Sequence, residues 1–221
     1  MTDEELNCFT AEEINRTDCF LCRPASKLLI DSSEEYFTVA GLGPLVNGYA
    51  IVATKDHLDN IGRSSSALVR GFSDYVSSIR KALSIEFGGC LLTEHGNMPI
   101  CNIDTGHSVH CFHPHVLLFP GNHHVRTEAD QFFGDKQASF ASLAEAFEHG
   151  AKLEQYLLVS ETEDQFLVYR PQDGMPRQYA RALVADSLGN PDHASWRDFP
   201  NLNESIENAK RVRQALNRNT R

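Results

Sequence analysis

The segment from Gly106 to Gly121, GHSVHCFHPHVLLFPG, constrains this chain more than any other part of it. Four histidines and one cysteine lie within nine residues and run directly into an apolar stretch. In an extended segment successive side chains alternate between two faces, so Cys111, His113 and His115 share one face at steps of about 7 Å. Several imidazoles buried without partners would cost free energy. The spacing therefore favours a cluster that handles protons or binds a metal ion.

Two other features of the segment bear on this interpretation. Pro114 has no N–H to donate to a neighbouring strand, which predicts an edge strand or a bulge. His110 lies on the opposite face, and the ordinary alternative for such a residue is a histidine that is packed and hydrogen-bonded. The expected functional face therefore contains Cys111, His113 and His115.

The rest of the chain alternates strand and helix patterns. The clearest helix covers residues 64–87, where apolar residues recur at three- and four-residue steps between a serine cap and Gly88–Gly89. Residues 35–55 predict a hairpin. Antiparallel hairpins mixed with helices indicate an α+β fold. The remaining predictions are strands at 90–96 and 107–119, a hairpin at 155–171, and helices at 136–152, 177–188 and 203–217.

The charge balance limits the classes of partner. The chain has 30 acidic and 20 basic residues, for a formal net charge of −10. Nucleic-acid polymers are held by basic surfaces, so we do not expect one here, whereas local N–H groups can still hold a small phosphorylated ligand. No apolar run is long enough for a bilayer, and the N-terminus lacks a signal pattern. We therefore expect a cytoplasmic protein with no membrane partner.

The histidine segment resembles the signature of the histidine triad (HIT) superfamily, in which G-x-S precedes three alternating histidines. It is also similar to the related galactose-1-phosphate uridylyltransferases, which carry a His-Pro-His. Gly106 and Ser108 match the anchor, His113 takes the middle histidine position and His115 the third. Cys111 stands where the family has its first histidine.

Other segments extend the resemblance over residues 19–200. GPLVNGYAIVATKDH is similar to a family segment that ends in P-K-x-H, with His57 at the histidine and Tyr49 and Thr54 as departures. EHG, which contains Glu94 and His95, is similar to the F-E-H-G of a bacterial branch. The resemblance implies a HIT-like antiparallel sheet with helices over 1–125 and a C-terminal α/β extension, 126–221, packed on that core. The substrate-binding residues that it implies are Gly106, Ser108, Glu94 and His95.

A Cys-x-x-Cys pair at Cys19 and Cys22 has the spacing of a zinc half-site. The same spacing also suits a redox pair or unmetallated thiols. In zinc-containing relatives the ligands are this pair, the histidine of P-K-x-H and the first triad histidine. The resemblance therefore implies one structural Zn²⁺ held by Cys19, Cys22, His57 and Cys111.

The activity that the resemblance implies is cleavage of a nucleoside phosphate ester, anhydride or phosphoramidate by a hydrolase or nucleotidyltransferase. His113 would attack the α-phosphorus and form a covalent nucleotidyl-histidine, and His115 would hold the phosphate or protonate the leaving group. Two alternatives stay open: a nucleotide-binding regulator, and a biosynthetic enzyme with a non-standard phosphorylated substrate. The expected partner is a small-molecule nucleotide, and pairing as a homodimer is left open.

Overall fold

The computed structural model describes residues 21, 24–96, 113–134, 137–153, 155–171 and 178–219. Eight strands form one sheet in the order β1-β2-β3-β5-β4-β7-β8-β6, and every neighbouring pair is antiparallel. The strands are β1 Leu29–Ser32, β2 Tyr36–Ala40, β3 Ala50–Thr54, β4 Cys90–Gly96, β5 His115–Pro120, β6 Ala138–Phe140, β7 Tyr156–Thr162 and β8 Gln165–Tyr169. The helices are α1 Ser66–Phe87, α2 Arg126–Phe133, α3 Leu143–Gly150, α4 Tyr179–Ser187 and α5 Leu202–Asn219, with 3-10 turns at Ile61–Arg63 and Pro191–Ala194.

Both faces of the sheet are covered by helices. Helices α1, α3 and α5 pack on one face, where Phe72, Phe147 and Val212 join a large apolar core. Helices α2 and α4 pack on the other face around Phe133 and Val184. The alternation of side chains along each strand supplies both cores, as a sheet buried on two sides requires. The predicted α+β class is confirmed.

Several predicted elements are confirmed closely. Helix α1 starts after Ser65, whose hydroxyl accepts a hydrogen bond from the Leu68 N–H at 3.3 Å, and ends at Gly88, where φ is +80°. The predicted hairpin at 35–55 is the antiparallel pair β2–β3, and the one at 155–171 is β7–β8. Local chemistry specifies these elements, because caps, turns and periodicity all agree.

The predicted helix at 136–152 is wrong over its first part. Residues Ala138–Phe140 form β6, which pairs with the exposed edge of β8, and helix α3 begins only at Leu143. Ser142 caps that helix by accepting a hydrogen bond from the Glu145 N–H. A three-residue strand has little periodicity of its own, so its pairing with β8 decides its structure. The sequence patterns also predicted neither helix α2 nor strand β1.

The prediction that Pro114 marks an edge strand or a bulge is also wrong. Strand β5 lies inside the sheet, between β3 and β4. Pro114 stands just before its first residue, and its carbonyl accepts a hydrogen bond from the Thr54 N–H at 3.2 Å. A proline at this position removes no N–H from the regular ladder, so a central strand tolerates it. The predicted strand at 107–119 is described only from residue 113 onward.

The C-terminal segment continues the same sheet, since β7 pairs with β4 along five residue pairs. Arg181 of α4 fastens this segment to the loop after β2. Its side chain is 3% exposed and lies over the Tyr49 ring, with 5.3 Å between the guanidinium carbon and the ring centre. The guanidinium donates hydrogen bonds to four carbonyl oxygens, those of Leu42, Gly43, His193 and Ala194.

No helix in the described part of the chain combines the length and apolar character that crossing a bilayer requires.

Candidate functional site

The candidate site is built where β5 begins, between β3 and β4. His115 is the first residue of β5 and pairs with Ala53 of β3. The Thr54–Pro114 hydrogen bond extends this pairing toward His113. The central position of β5 fixes the backbone of both histidines through hydrogen bonds to β3.

His113 comes two residues before β5 in the sequence, and its side chain lies in space beside Thr54, the last residue of β3. It is 5% exposed. Its Nδ1 donates a hydrogen bond to the Thr54 carbonyl oxygen at 2.8 Å. A carbonyl can only accept, so this bond fixes the neutral tautomer in which Nε2 carries the lone pair. The His57 ring lies beside it, with the ring centres 4.2 Å apart at an angle of 64°.

His115 is held in the same way by its own strand. Its Nδ1 donates a hydrogen bond to the His113 carbonyl oxygen at 2.8 Å, so Nε2 again carries the lone pair. The neighbouring ring is that of His95 on β4, with 5.0 Å between ring centres and an edge-to-face angle of 85°. The site therefore contains two imidazole pairs, His57 with His113 and His95 with His115.

Burial keeps the imidazoles of His95, His113 and His115 neutral. Desolvation is the largest cause that lowers the pKa of His113 and of His115, and the hydrogen bonds to backbone carbonyls oppose it. Desolvation, together with the charge of His115, lowers the pKa of His95 to about 3. Neutral imidazoles with fixed tautomers have a lone pair for a nucleophilic or ligand role at neutral pH.

Glu94 and His95 lie on opposite faces of β4. His95 joins the imidazole pairs, whereas Glu94 is 4% exposed on the face that packs against α1 and α3. The structure therefore does not bring Glu94 into the histidine cluster. Of the other predicted site residues, His57 is exposed beside His113. The predicted residues Cys19, Cys22, Gly106, Ser108 and Cys111 lie outside the described part of the chain.

The environment of Glu94 gives a testable pH dependence. Burial raises the pKa of Glu94 from 4.5 to about 8, so the folded protein keeps a proton that the unfolded chain releases. Stability supplied by this proton is fully present below pH 4.5 and is lost as pH rises to about 8, by up to about 1.4 kcal/mol per pH unit. The free energy of unfolding of Glu94→Gln, relative to that of wild type, should therefore increase as the pH rises from 5 to 8. Urea unfolding of both proteins at the two pH values measures this, and a constant difference would contradict it.

The imidazole pair His57–His113 suits a metal ion chemically. His113 has its Nδ1 bonded to a backbone carbonyl, an arrangement that orients the ring and leaves Nε2 as the ligand atom. Within the described residues, no group of three or more histidine, cysteine or acidic side chains could hold a metal ion. The remaining predicted ligands are the three cysteines that the description does not cover. The two described imidazoles have the chemistry of zinc ligands, and a zinc ion there would need further ligands such as the predicted cysteines.

Fold and site together define an α+β protein in which two imidazoles with fixed tautomers, each beside a second imidazole, lie where a central strand of an antiparallel sheet begins. No family model matches the chain, and no curated protein matches its sequence. Solved structures align with it at low identity. A uridylyltransferase shares 12% identity over 92% of this chain and 93% of its own, at a TM-score of 0.48.

Two further solved structures align over smaller parts. A hypothetical histidine triad nucleotide-binding protein from Sulfolobus tokodaii shares 16% identity over 47% of this chain and 68% of its own, at a TM-score of 0.35. The yeast Ap4A phosphorylase in complex with AMP shares 14% identity over 85% of this chain and 78% of its own, at a TM-score of 0.39.

Proposed function

We propose that the protein is a HIT-type enzyme that cleaves a nucleoside phosphate ester, anhydride or phosphoramidate through a covalent nucleotidyl-histidine. The observation that carries this proposal is the hydrogen bond from His115 Nδ1 to the His113 carbonyl oxygen. It fixes a neutral imidazole whose Nε2 can attack phosphorus, on a strand held from both sides. Imidazole also leaves readily from phosphorus, so a water or a second acceptor can complete the reaction.

The contacts favour His115 as the nucleophile rather than His113, the residue that the sequence predicts. His113 has its ring against His57, the residue implied as a zinc ligand, so those two imidazoles suit one metal ion. His115 has its ring against His95, which has no implied metal role. A nucleophile needs a lone pair that a metal does not occupy, and His115 meets that requirement.

In the proposed reaction the Nε2 lone pair of His115 attacks the α-phosphorus. A bond forms between Nε2 and phosphorus as the P–O or P–N bond to the leaving group breaks. The leaving group departs with that electron pair and takes a proton from solvent. His95 lies beside His115 as a neutral imidazole that can donate one hydrogen bond to a phosphate oxygen. In the second half the oxygen of water or another acceptor forms a new P–O bond and releases its proton to solvent, while the P–N bond breaks and its electron pair returns to Nε2, so that His115 is again neutral.

The proposal is tested by mixing the protein with an excess of a nucleotide substrate and stopping the reaction in base after milliseconds. We expect intact-protein mass spectrometry to show one added nucleoside monophosphate, localised to His115 by peptide mapping. An adduct on His113 would instead identify His113, the residue that the sequence predicts, as the nucleophile. Tight nucleotide binding with neither adduct nor turnover would identify the regulatory alternative and refute the enzyme.

We also propose one structural Zn²⁺ held by Cys19, Cys22, His57 and His113, with Cys111 as the sequence-predicted alternative to His113. Such an ion would tie the N-terminal segment to the catalytic strand. Elemental analysis of the purified protein should give about one zinc per chain. His113→Ala should lower the zinc content strongly, whereas Cys111→Ala should leave it near the wild-type value. The reverse pattern would restore Cys111 as the ligand.

A further inference from the structure

Leu21 belongs to a small apolar cluster that is separate from the two main cores. The cluster is formed by Leu21 with Phe37 and Val39 of β2 and Ala53 of β3, hereafter the anchor cluster. Leu21 is 8% exposed, and the other three side chains are 4% exposed or less. Among these described members, only Leu21 comes from outside the sheet. A side chain from the N-terminal part of the chain thus helps to bury one region of the sheet.

The anchor cluster lies on the face of the sheet that carries the histidines. Ala53 pairs directly with His115 across β3 and β5, and directly paired residues in adjacent strands point to the same face. Phe37 pairs with Ala53 in turn across β2 and β3. The side chains of His115, Ala53 and Phe37 therefore form one row across three strands, and Leu21 packs against that row.

Ala53 also connects the anchor cluster to His113. It precedes Thr54, whose carbonyl oxygen accepts the hydrogen bond from His113 Nδ1. The contact that Leu21 makes with Ala53 is therefore one residue away from the backbone group that orients the His113 ring. Leu21 and the His57–His113 pair thus meet the same end of β3.

Leu21 stands between the two cysteines of the CFLC segment, residues 19–22. Cys22 follows it directly, and Cys19 comes two residues before it. Successive Cα atoms are about 3.8 Å apart, so chain connectivity keeps the Cα atoms of both cysteines within about 8 Å of that of Leu21. The burial of Leu21 therefore limits how far either thiol can lie from β3.

The contacts of Leu21 do not depend on a metal ion. Every member of the anchor cluster is apolar, and none is a predicted zinc ligand. Burial of one leucine side chain corresponds to a change of about 10- to 100-fold in an equilibrium constant, so it can hold a short segment before any ion binds. Ligands that are held close together in advance lose less conformational freedom when the ion binds, and the ion is bound more tightly.

We propose that Leu21 is a metal-independent anchor that docks the CFLC segment on β2 and β3 and thereby preorganises Cys19 and Cys22 for zinc. The docking does not depend on the proposed function. The effect on zinc rests on that proposal, because it concerns the ion proposed there. Leu21 is a positioning residue in this scheme, since its side chain has no atom that could bind a metal.

The docking is tested by NMR of the methyl groups in protein from which a chelator has removed metal. We expect nuclear Overhauser contacts from the Leu21 methyl groups to those of Val39 and Ala53, both before and after zinc is added. Leu21→Met conserves volume and apolar character, so its methyl group should keep these contacts. Contacts that form only after zinc is added would overturn the metal-independent anchor, as would the lack of contacts in both states.

The effect on zinc is tested by competition with a chromophoric chelator. Leu21→Ala should weaken zinc binding by about 10- to 100-fold, whereas Leu21→Met should stay within a few-fold of wild type. Ile85→Ala is the matched control, because it removes an aliphatic side chain that is 62% exposed on α1, and it should leave the zinc affinity unchanged. Circular dichroism establishes that each variant is folded.

The two measurements separate the anchor from the proposed function. A wild-type protein that binds no zinc but keeps the methyl contacts would refute the proposed zinc site, and its dependence on Leu21, while supporting the anchor. A wild-type protein that binds one zinc ion no more tightly than Leu21→Ala does would overturn the positioning role alone and leave the zinc site standing.

Discussion

His115→Ala is expected to lower kcat by at least about 10³-fold while the protein keeps its fold, because the variant removes the proposed nucleophile and no other group replaces its lone pair. His115 is half-buried at the start of β5, and its Nδ1 donates a hydrogen bond to the backbone of the same segment, at the His113 carbonyl oxygen. Loss of the ring leaves the His113 carbonyl without that donor and removes the ring contact with His95, but the backbone pairing of β5 with β3 and β4 does not involve the ring. Steady-state kinetics and circular dichroism measure the two effects.

The matched control for this variant is His123→Ala. His123 follows β5, and its Nε2 donates a hydrogen bond to the Pro120 carbonyl oxygen at 2.9 Å, so it also bonds the backbone of the same strand. It should keep kcat within a few-fold of wild type. If His115→Ala retains most of the turnover, or if both variants lose activity equally, His115 is not the nucleophile.

Arg181→Met should destabilise the protein by about 3–5 kcal/mol, because the removal of a buried charge's hydrogen bonds leaves several carbonyl groups unsatisfied. The guanidinium bonds carbonyls in two loops and lies over the Tyr49 ring, which stacks on Phe119 of β5 with 4.8 Å between ring centres. One side chain thus connects α4, the loop after β2 and the central strand. Urea unfolding gives the free-energy difference.

Arg126→Met provides the comparison for Arg181. Arg126 pairs with Asp130 at 3.4 Å on the surface of α2, and its side chain is 42% exposed. Exposed pairs of this kind contribute little, so this variant should lose no more than about 1 kcal/mol. Equal losses in the two variants would show that the carbonyl contacts of Arg181 do not stabilise the fold as described.

Local patterns made part of this fold predictable. Helix α1 has its apolar periodicity, its serine cap and its glycine end within one continuous segment, so nothing distant is needed to define it. The hairpin β2–β3 likewise has its turn residues between two strand patterns. Strand β6 has no such local signal, because the edge of β8 supplies its hydrogen bonds.

The sequence named residues of the candidate site but not their pairings. The alternation in the histidine segment places His113 and His115 on one face, and in the structure each donates a hydrogen bond from Nδ1 to a backbone carbonyl oxygen where β5 begins. Their partners His57 and His95 come from segments distant in sequence, and only the strand order places them in contact. The Thr54 carbonyl that fixes His113 is a backbone atom, so no side-chain motif could indicate it.

The location of β5 inside the sheet has a consequence for how a substrate could be received. A strand bonded to neighbours on both sides belongs to the part of a protein that opens only when much of the structure opens. His115 is the first residue of this strand and pairs with Ala53 of β3, so its backbone is held by the sheet rather than by a loop. Adaptation between ligand and protein must then occur in the ligand or in the surrounding loops, while the reactive nitrogen keeps a fixed position.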